Sequence, residues 1–305
     1  MLPACTSRHL NPDLSGVRTG LSPHGSFKLK RNGVRVKRYR CQSCGKTFSE
    51  NSFSEIYRQK KPHINPQVFE LLCSTVSQRR SARILKVNRK TIVRKFLLMG
   101  KKAEKILPTL NSFHDKIEHF QFDDLETFEH TKFKPLSVTM IVEKNTRWII
   151  GFRVSRMAAK GLIAKAAVKK YGVRKDTRRE KRNELFEEIK TYIDPKAKIE
   201  SDKNPHYWNE VKKHFPEAEY ETHLSRRAAV VGQGELKKGG FDPLFSLNHT
   251  YAMLRANINR LLRKTWCTTK IPERLGFHIA MYSLYHNMLL LPPKERESIR
   301  IRIAA

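Results

Sequence analysis

FQFDDLETFEHTKFKPLSVTMIVEKNTRWIIGFRVSR, residues 120–156, reads as three consecutive strands: 120–128, Leu136–Val142 and Trp148–Val154. Turn chemistry separates them, Lys134-Pro135 before the second and Glu143-Lys144-Asn145 before the third. The first strand is unusual because Asp123, Asp124 and Glu126 sit inside it. Asp is depleted in strand interiors. A buried carboxylate is unfavourable unless it is paired, hydrogen-bonded or bound to metal. One wall of a metal site is the most economical reading of such a strand.

Working outward, the whole chain has 305 residues, enough for one large core or two to three domains. Its 61 Lys+Arg against 29 Asp+Glu give a formal charge of +32. An enzyme of small molecules rarely carries such self-repulsion, and a polyanion, above all nucleic acid, is the simplest partner. A merely basic or ribosome-associated protein is the bland alternative. Five Cys, two of them in a CxxC, argue against a disulfide framework and for a reducing compartment. No apolar run approaches the roughly eighteen residues of a membrane span, and MLPACTSRHL has no signal-peptide core. A cytoplasmic, nucleoid-associated protein without membrane contact is expected.

Residues 1–50 are too poor in apolar side chains to build much of a core. RYRCQSCGKTFS, residues 38–49, offers a staple: Cys41 and Cys44 are spaced as half of a zinc ribbon, with Gly45 allowing the tight turn. Cys5 and His9 are the best remaining pair of zinc ligands, and His24 is a weaker one. A redox pair is the alternative for the CxxC. Residues 51–65 read as a linker. From Pro66 the pattern is helical, with Val68, Leu71, Leu72 and Val76 on one face and Cys73 a core thiol. Ser81–Leu85 reads as a short helix, Val87-Asn88 as a turn with Asn88 the cap, and Arg89–Leu98 as a second helix. Ile92, Val93 and Phe96 are expected inward, and Arg89, Lys90, Thr91, Arg94 and Lys95 outward on DNA. That layout is a helix-turn-helix reader, or else a basic three-helix domain that only packs on its neighbour. Residues 101–119 read as a helical connector.

After the three strands, 157–193 reads as helical and mixed in charge. Ala197–Ser201 reads as a strand delivering Asp202, and His206–His214 as a helix with Tyr207, Trp208 and Val211 apolar. Ala218–Leu224 reads as a fifth strand and 225–241 as a mobile loop. Pro243–Lys264 reads as a long helix, with another over 272–288. Three strands with an acid in the first, a helix, a strand ending in an acid, a helix, a strand and a long helix is the element order of the RNase H-like fold. The fold class expected is α/β, a mixed sheet with helices on both faces. In that fold, carboxylates converge on two divalent cations that activate an attacking oxygen and stabilise a leaving one.

RYRCQSCGKTFS, SARILKVNRKTIVRKF, FDDLETFEHTK, IESD with the Tyr-containing helix after it, and DPLFSLNHTYAMLRANINRLLRKTWCTTK together resemble bacterial insertion-sequence transposases. The branch they resemble has a zinc ribbon and a helix-turn-helix ahead of a DDE-type catalytic domain. The resemblance spans nearly the whole chain. It implies a ribbon over 1–50, a linker over 51–65, a helix-turn-helix domain over 66–116, a catalytic domain over 117–290 and a basic tail over 291–305. It implies Asp123 and Asp202 as the first two catalytic acids, holding Mg²⁺ or Mn²⁺, with Zn²⁺ in the ribbon. Asp124, on the opposite face of the strand, is the neighbour that could be mistaken for Asp123. Glu126 is either a supporting residue or a surface charge. No Glu lies on the long helix before Lys264. Asn248 aligns at the third position, with His249 beside it and Arg255 seven residues on, on the same helix face. Asn248 could instead cap the helix. The partners implied are double-stranded DNA, as terminal inverted repeats and target, and further copies of the chain in a synaptic dimer or larger assembly. The activity implied is metal-dependent strand cleavage and transfer. The alternative is a domesticated DNA-binding protein whose catalytic domain is inactive.

Overall fold

The computed structural model describes residues 21–29, 33–42, 44–53, 56, 59–112, 116–224, 236–237, 240–262 and 267–290. The chain divides into two compact units, Met1–His63 and Ile64–Ala305. In the first, strands β1 (Leu21–Lys28), β2 (Arg35–Cys41) and β3 (Thr47–Ser49) form an antiparallel sheet in that order. Val36, Tyr39 and Cys41 turn inward from β2, while Arg35, Lys37, Arg38 and Arg40 stay exposed. Among the described residues the core here is Tyr39, Cys41 and Phe48, with Leu21 and Cys44 packed against it, too little apolar surface to hold a domain unaided.

The second unit begins with α1 (Asn65–Cys73), α2 (Gln78–Ile84) and α3 (Arg89–Asn111). Asn88 caps α3, its Oδ1 accepting from the Lys90 N–H at 2.8 Å. A five-stranded mixed sheet follows. It is built from β4 (Ile117–Phe128), β5 (Pro135–Glu143), β6 (Ile149–Arg156), β7 (Ile193–Asp202) and β8 (Glu219–His223), in the order β6-β5-β4-β7-β8. β4, β5 and β6 are antiparallel; β7 pairs parallel to β4, and β8 parallel to β7. Between β6 and β7 lie α4 (Ala164–Tyr171) and α5 (Arg178–Ile189). Helix α6 (Tyr207–His214) precedes β8, and α7 (Phe245–Asn257) and α8 (Pro272–Tyr285) follow it.

Strand alternation splits the core in two. Leu125, Val138 and Met140 face α1, α3, α7 and α8, whereas Phe122, Ile141 and Ile150 face α5 and α6. Residues 66–116 and 117–290, read from the sequence as separate domains, share the first of these cores. Helix α3 lies so close to α8 that a Cβ at Gly100 would stand 2.3 Å from Phe277 Cβ.

Several boundaries depart from expectation. α3 runs on to Asn111, and the end of the supposed connector is already β4. Lys95 is buried, not outward: it falls three residues after Ile92 on the same helical stripe, and its Nζ donates to Asn65 Oδ1. α7 stops at Asn257 instead of reaching Lys264. Its last carbonyls are captured elsewhere, Asn257 by the Thr75 N–H at 2.8 Å and Ala256 by the Thr75 hydroxyl. Trp208 is exposed and leans on Tyr220, although Tyr207 and Val211 are buried as expected. Of 225–241, the described residues include a two-stranded pair, Leu236–Lys237 with Gly240–Phe241. Residues 291–305 lie outside the described residues. Among the described residues no helix is long and apolar enough to cross a membrane.

Candidate active site

The parallel pairing of β4 with β7 sets Gln121 opposite Glu200 and Phe122 opposite Ser201. One step further brings Asp123 and Asp202 to matching positions at the C-terminal end of β7. Alternation puts Asp123 on the face of its β5 partner Met140, toward α7. Asp202 shares its face with Glu200, which bonds Gln121 on that same side. Asp123 Oδ1 accepts from the Asp124 N–H at 2.6 Å and from the Tyr207 hydroxyl at 3.3 Å. The Tyr251 hydroxyl donates to the Asp123 carbonyl. Burial, and then the charge of Asp202, push the Asp123 carboxyl up to about 7. Burial and the charge of Asp124 raise Asp202 as well, and its Oδ1 is buried without a hydrogen-bond partner. Among the described residues neither acid forms an ion pair.

Asp124 is differently provided for. Its side chain leaves the opposite face, where the Thr139 hydroxyl and Arg182 Nη1, the latter at 3.0 Å, donate to it. Arg182 also donates through Nε and Nη2 to Glu210 and lies over the Tyr207 ring, 4.5 Å from its centroid. This buried network ties β4 to α5 and α6. Glu126 is a surface charge, 61% exposed and 3.8 Å from Lys160.

Helix α7 is docked on β4 through Gln121. The Gln121 amide accepts from the Leu247 N–H at 3.1 Å and donates to the Pro243 carbonyl at 2.7 Å. Asn248 is inside the helix, not its cap. Its Nδ2 donates to Asp242 Oδ2 at 2.7 Å, and Asp242 Oδ1 takes the Leu244 N–H at 3.2 Å. Asn248, Tyr251 and Arg255 follow one another along a single face, and Tyr251 is the residue that reaches Asp123. His249 is turned to Arg147, whose Nη1 is 3.0 Å from its Nδ1. No third His, Cys, Asp or Glu joins Asp123 and Asp202 in a close cluster among the described residues.

The grouping that does form centres on Glu200, two residues before Asp202, and was not anticipated. Glu200, Glu221 and His223 bring one ligand atom each within 4.8 Å of one another and could hold a metal ion. Glu200 is the buried member, 2.7 Å from Lys144 Nζ and 3.3 Å from His119 Nε2. Burial alone would raise its carboxyl, but hydrogen bonds from Lys144 and Gln121 hold it below the usual range. The one signal in the sequence was period two: Glu200 must share a face with Asp202 once IESD is read as a strand.

In the first unit, Cys41 and Cys44 carry no disulfide. Gly45, at φ +68°, returns its N–H to the Cys41 carbonyl at 2.8 Å and so closes a tight turn over the CxxC. Cys5 and His9 lie outside the described residues, and His24 is exposed on β1. On α3, Arg89, Lys90 and Arg94 are exposed, Thr91 is half-buried, and Lys95 is withdrawn as described. Fold and site thus define an α/β protein with paired carboxylates at the end of a mixed sheet. Comparison with protein-family models and with curated proteins finds no match for the chain.

Proposed function

We propose that the protein is a DNA transposase with an RNase H-like catalytic domain, cleaving and joining strands at the ends of its own element. The observation that carries this is the Asp123–Asp202 pair. Two carboxylates stand at matching positions on adjacent strands, both with raised affinity for protons, one with an orphan oxygen. Such a pair is short of positive charge, and hard oxygen donors suit Mg²⁺ or Mn²⁺. The strand order β6-β5-β4-β7-β8, with β7 and β8 parallel to β4, is the order that fold requires and supports the reading.

Asp123 and Asp202 would hold the metal, which when bound activates the attacking oxygen and stabilises the leaving one. Asn248 would supply its Oδ1, since its Nδ2 is committed to Asp242. Tyr207 and Tyr251 fix Asp123 by its side chain and its carbonyl. Arg255, further along α7, is suited to a DNA phosphate. In the first unit, Cys41 and Cys44 would bind Zn²⁺ together with Cys5 and His9. Arg89, Lys90, Thr91 and Arg94 would meet DNA as a helix-turn-helix does. Terminal repeats on two ends imply at least two copies of the chain working together.

The test is incubation of the protein with a labelled duplex of the DNA flanking its own coding sequence, with Mg²⁺. New 3′-OH ends are expected, and none with Asp123→Asn or Asp202→Asn. Binding without cleavage by the unaltered protein would support the domesticated alternative.

A further inference from the structure

The first turns of α3 do not stand open to solvent on all sides. They form one wall of a cleft of ≈ 880 Å³. Arg79 of α2 and Arg89, Lys90 and Arg94 of α3 line that wall. The opposite wall carries Arg260 and Lys270, among the described residues between α7 and α8, and Arg274 of α8. Among the described residues no Asp or Glu lines the cleft, and none of these seven cations is paired with a carboxylate. A basic protein need not arrange its clefts so: the neighbouring one of ≈ 610 Å³ mixes Glu104, Glu184, Glu188 and Glu273 with Arg153 and Lys181.

Arg260 is the informative member. Its guanidinium lies 5.2 Å over the Phe96 ring, and burial together with Arg274 pushes it down to about 10. The ring face attracts the cation, but burial and the second cation beside it are unfavourable until an anion arrives. His278, on the same floor, adds no charge: its Nε2 bonds the Leu72 carbonyl and burial pushes it down to about 4. The N-terminal end of a 23-residue helix adds its partial positive charge to that wall.

We infer that this cleft is a phosphate-backbone site, in which Arg260 and Arg274 of the sheet-bearing part grip the strand of duplex DNA beside the groove that α3 enters. This rests on the DNA-binding reading and extends it to residues outside the helix-turn-helix. The test is fluorescence anisotropy with the full chain and a labelled random-sequence duplex of about 20 base pairs, titrated with NaCl. Each phosphate contact removed lowers the slope of log affinity against log salt by about one. Arg260→Gln with Arg274→Gln should therefore lower it by about two. Lys165→Gln with Lys169→Gln on α4 removes equal charge and should leave it unchanged. Should the double variant lose its thermal transition, Arg274→Gln alone keeps the Arg260–Phe96 contact and should lower the slope by about one. An unchanged slope for the cleft variants, with a lowered one for Arg89→Gln and Lys90→Gln, overturns the inference and spares the DNA-binding reading. Equal losses from the α4 control overturn it as a net-charge effect. No binding of duplex by the unaltered protein removes both.

Discussion

Two neighbours on one strand, Asp123 and Asp124, have opposite circumstances. Asp124 is a structural anion within the Arg182 network, both side chains at most 10% exposed. Asp124→Ala should lower stability by about 3 kcal/mol, since it removes one of the two carboxylates that neutralise a buried guanidinium, while leaving divalent-metal affinity nearly intact; thermal unfolding and calorimetric titration separate the two effects. Asp123 carries the reverse expectation. Its folded-state value of about 7 stands above the ordinary 3.8, so between those limits the folded chain keeps a proton that the unfolded chain has released. Stability of the metal-free protein therefore falls as pH rises through that window, and the loss is complete above about 7. Melting temperatures from pH 5 to pH 8 should decline more for the wild type than for Asp123→Asn. Mg²⁺ should restore the wild type at the upper end and do nothing for the variant. Parallel curves for the two proteins would show that Asp123 is not the group that titrates.

At the scale of elements, Gly100 gives a direct test of how α3 meets α8. Ala is favoured over Gly within a helix by about 1 kcal/mol, but here the new methyl would meet Phe277 Cβ at 2.3 Å and its Cα at 3.1 Å. Backbone cannot swing aside as a side-chain tip can, so overpacking of about 1–3 kcal/mol should prevail. Gly100→Ala should lower the melting temperature, and a rise would mean the two helices are further apart. The elements most legible in the sequence were those built by local chemistry: the three antiparallel strands with their turns, and α3 starting at its Asn88 cap. What stayed hidden depends on partners distant in the chain. Lys95 looks like any helical cation until Asn65 is seen to receive it. The end of α7 is decided by Thr75, almost two hundred residues earlier in the chain. Glu200, Glu221 and His223 become one cluster only through the pairing of β7 with β8, which no local pattern specifies. A carboxylate inside or ending a strand is conspicuous by itself, which drew attention to Asp123, Asp124 and Asp202 together; the choice of Asp123 over Asp124 came from the resemblance and not from the strand pattern.

For the molecule as a whole, the division at residue 63 makes the proposed ribbon separable. Cys41→Ser should release zinc and weaken duplex binding, yet leave the thermal transition of 64–290 in place, because a structural zinc site stabilises its own module. Metal analysis and limited proteolysis read both halves, and unchanged zinc content would end the ribbon assignment. The other boundary behaves in the opposite way. Helices α1 to α3 share a core with the sheet and α8, so the part proposed to recognise DNA and the part proposed to cut it are one packed body and not beads on a string. Such a body is a ruler. The span from α3 to Asp123 is set by side-chain packing, and under the proposed function a chain built this way would measure a constant number of base pairs from the sequence it grips to the bond it breaks. Lengthening the DNA between the two by half a helical turn should silence cleavage without loosening the grip.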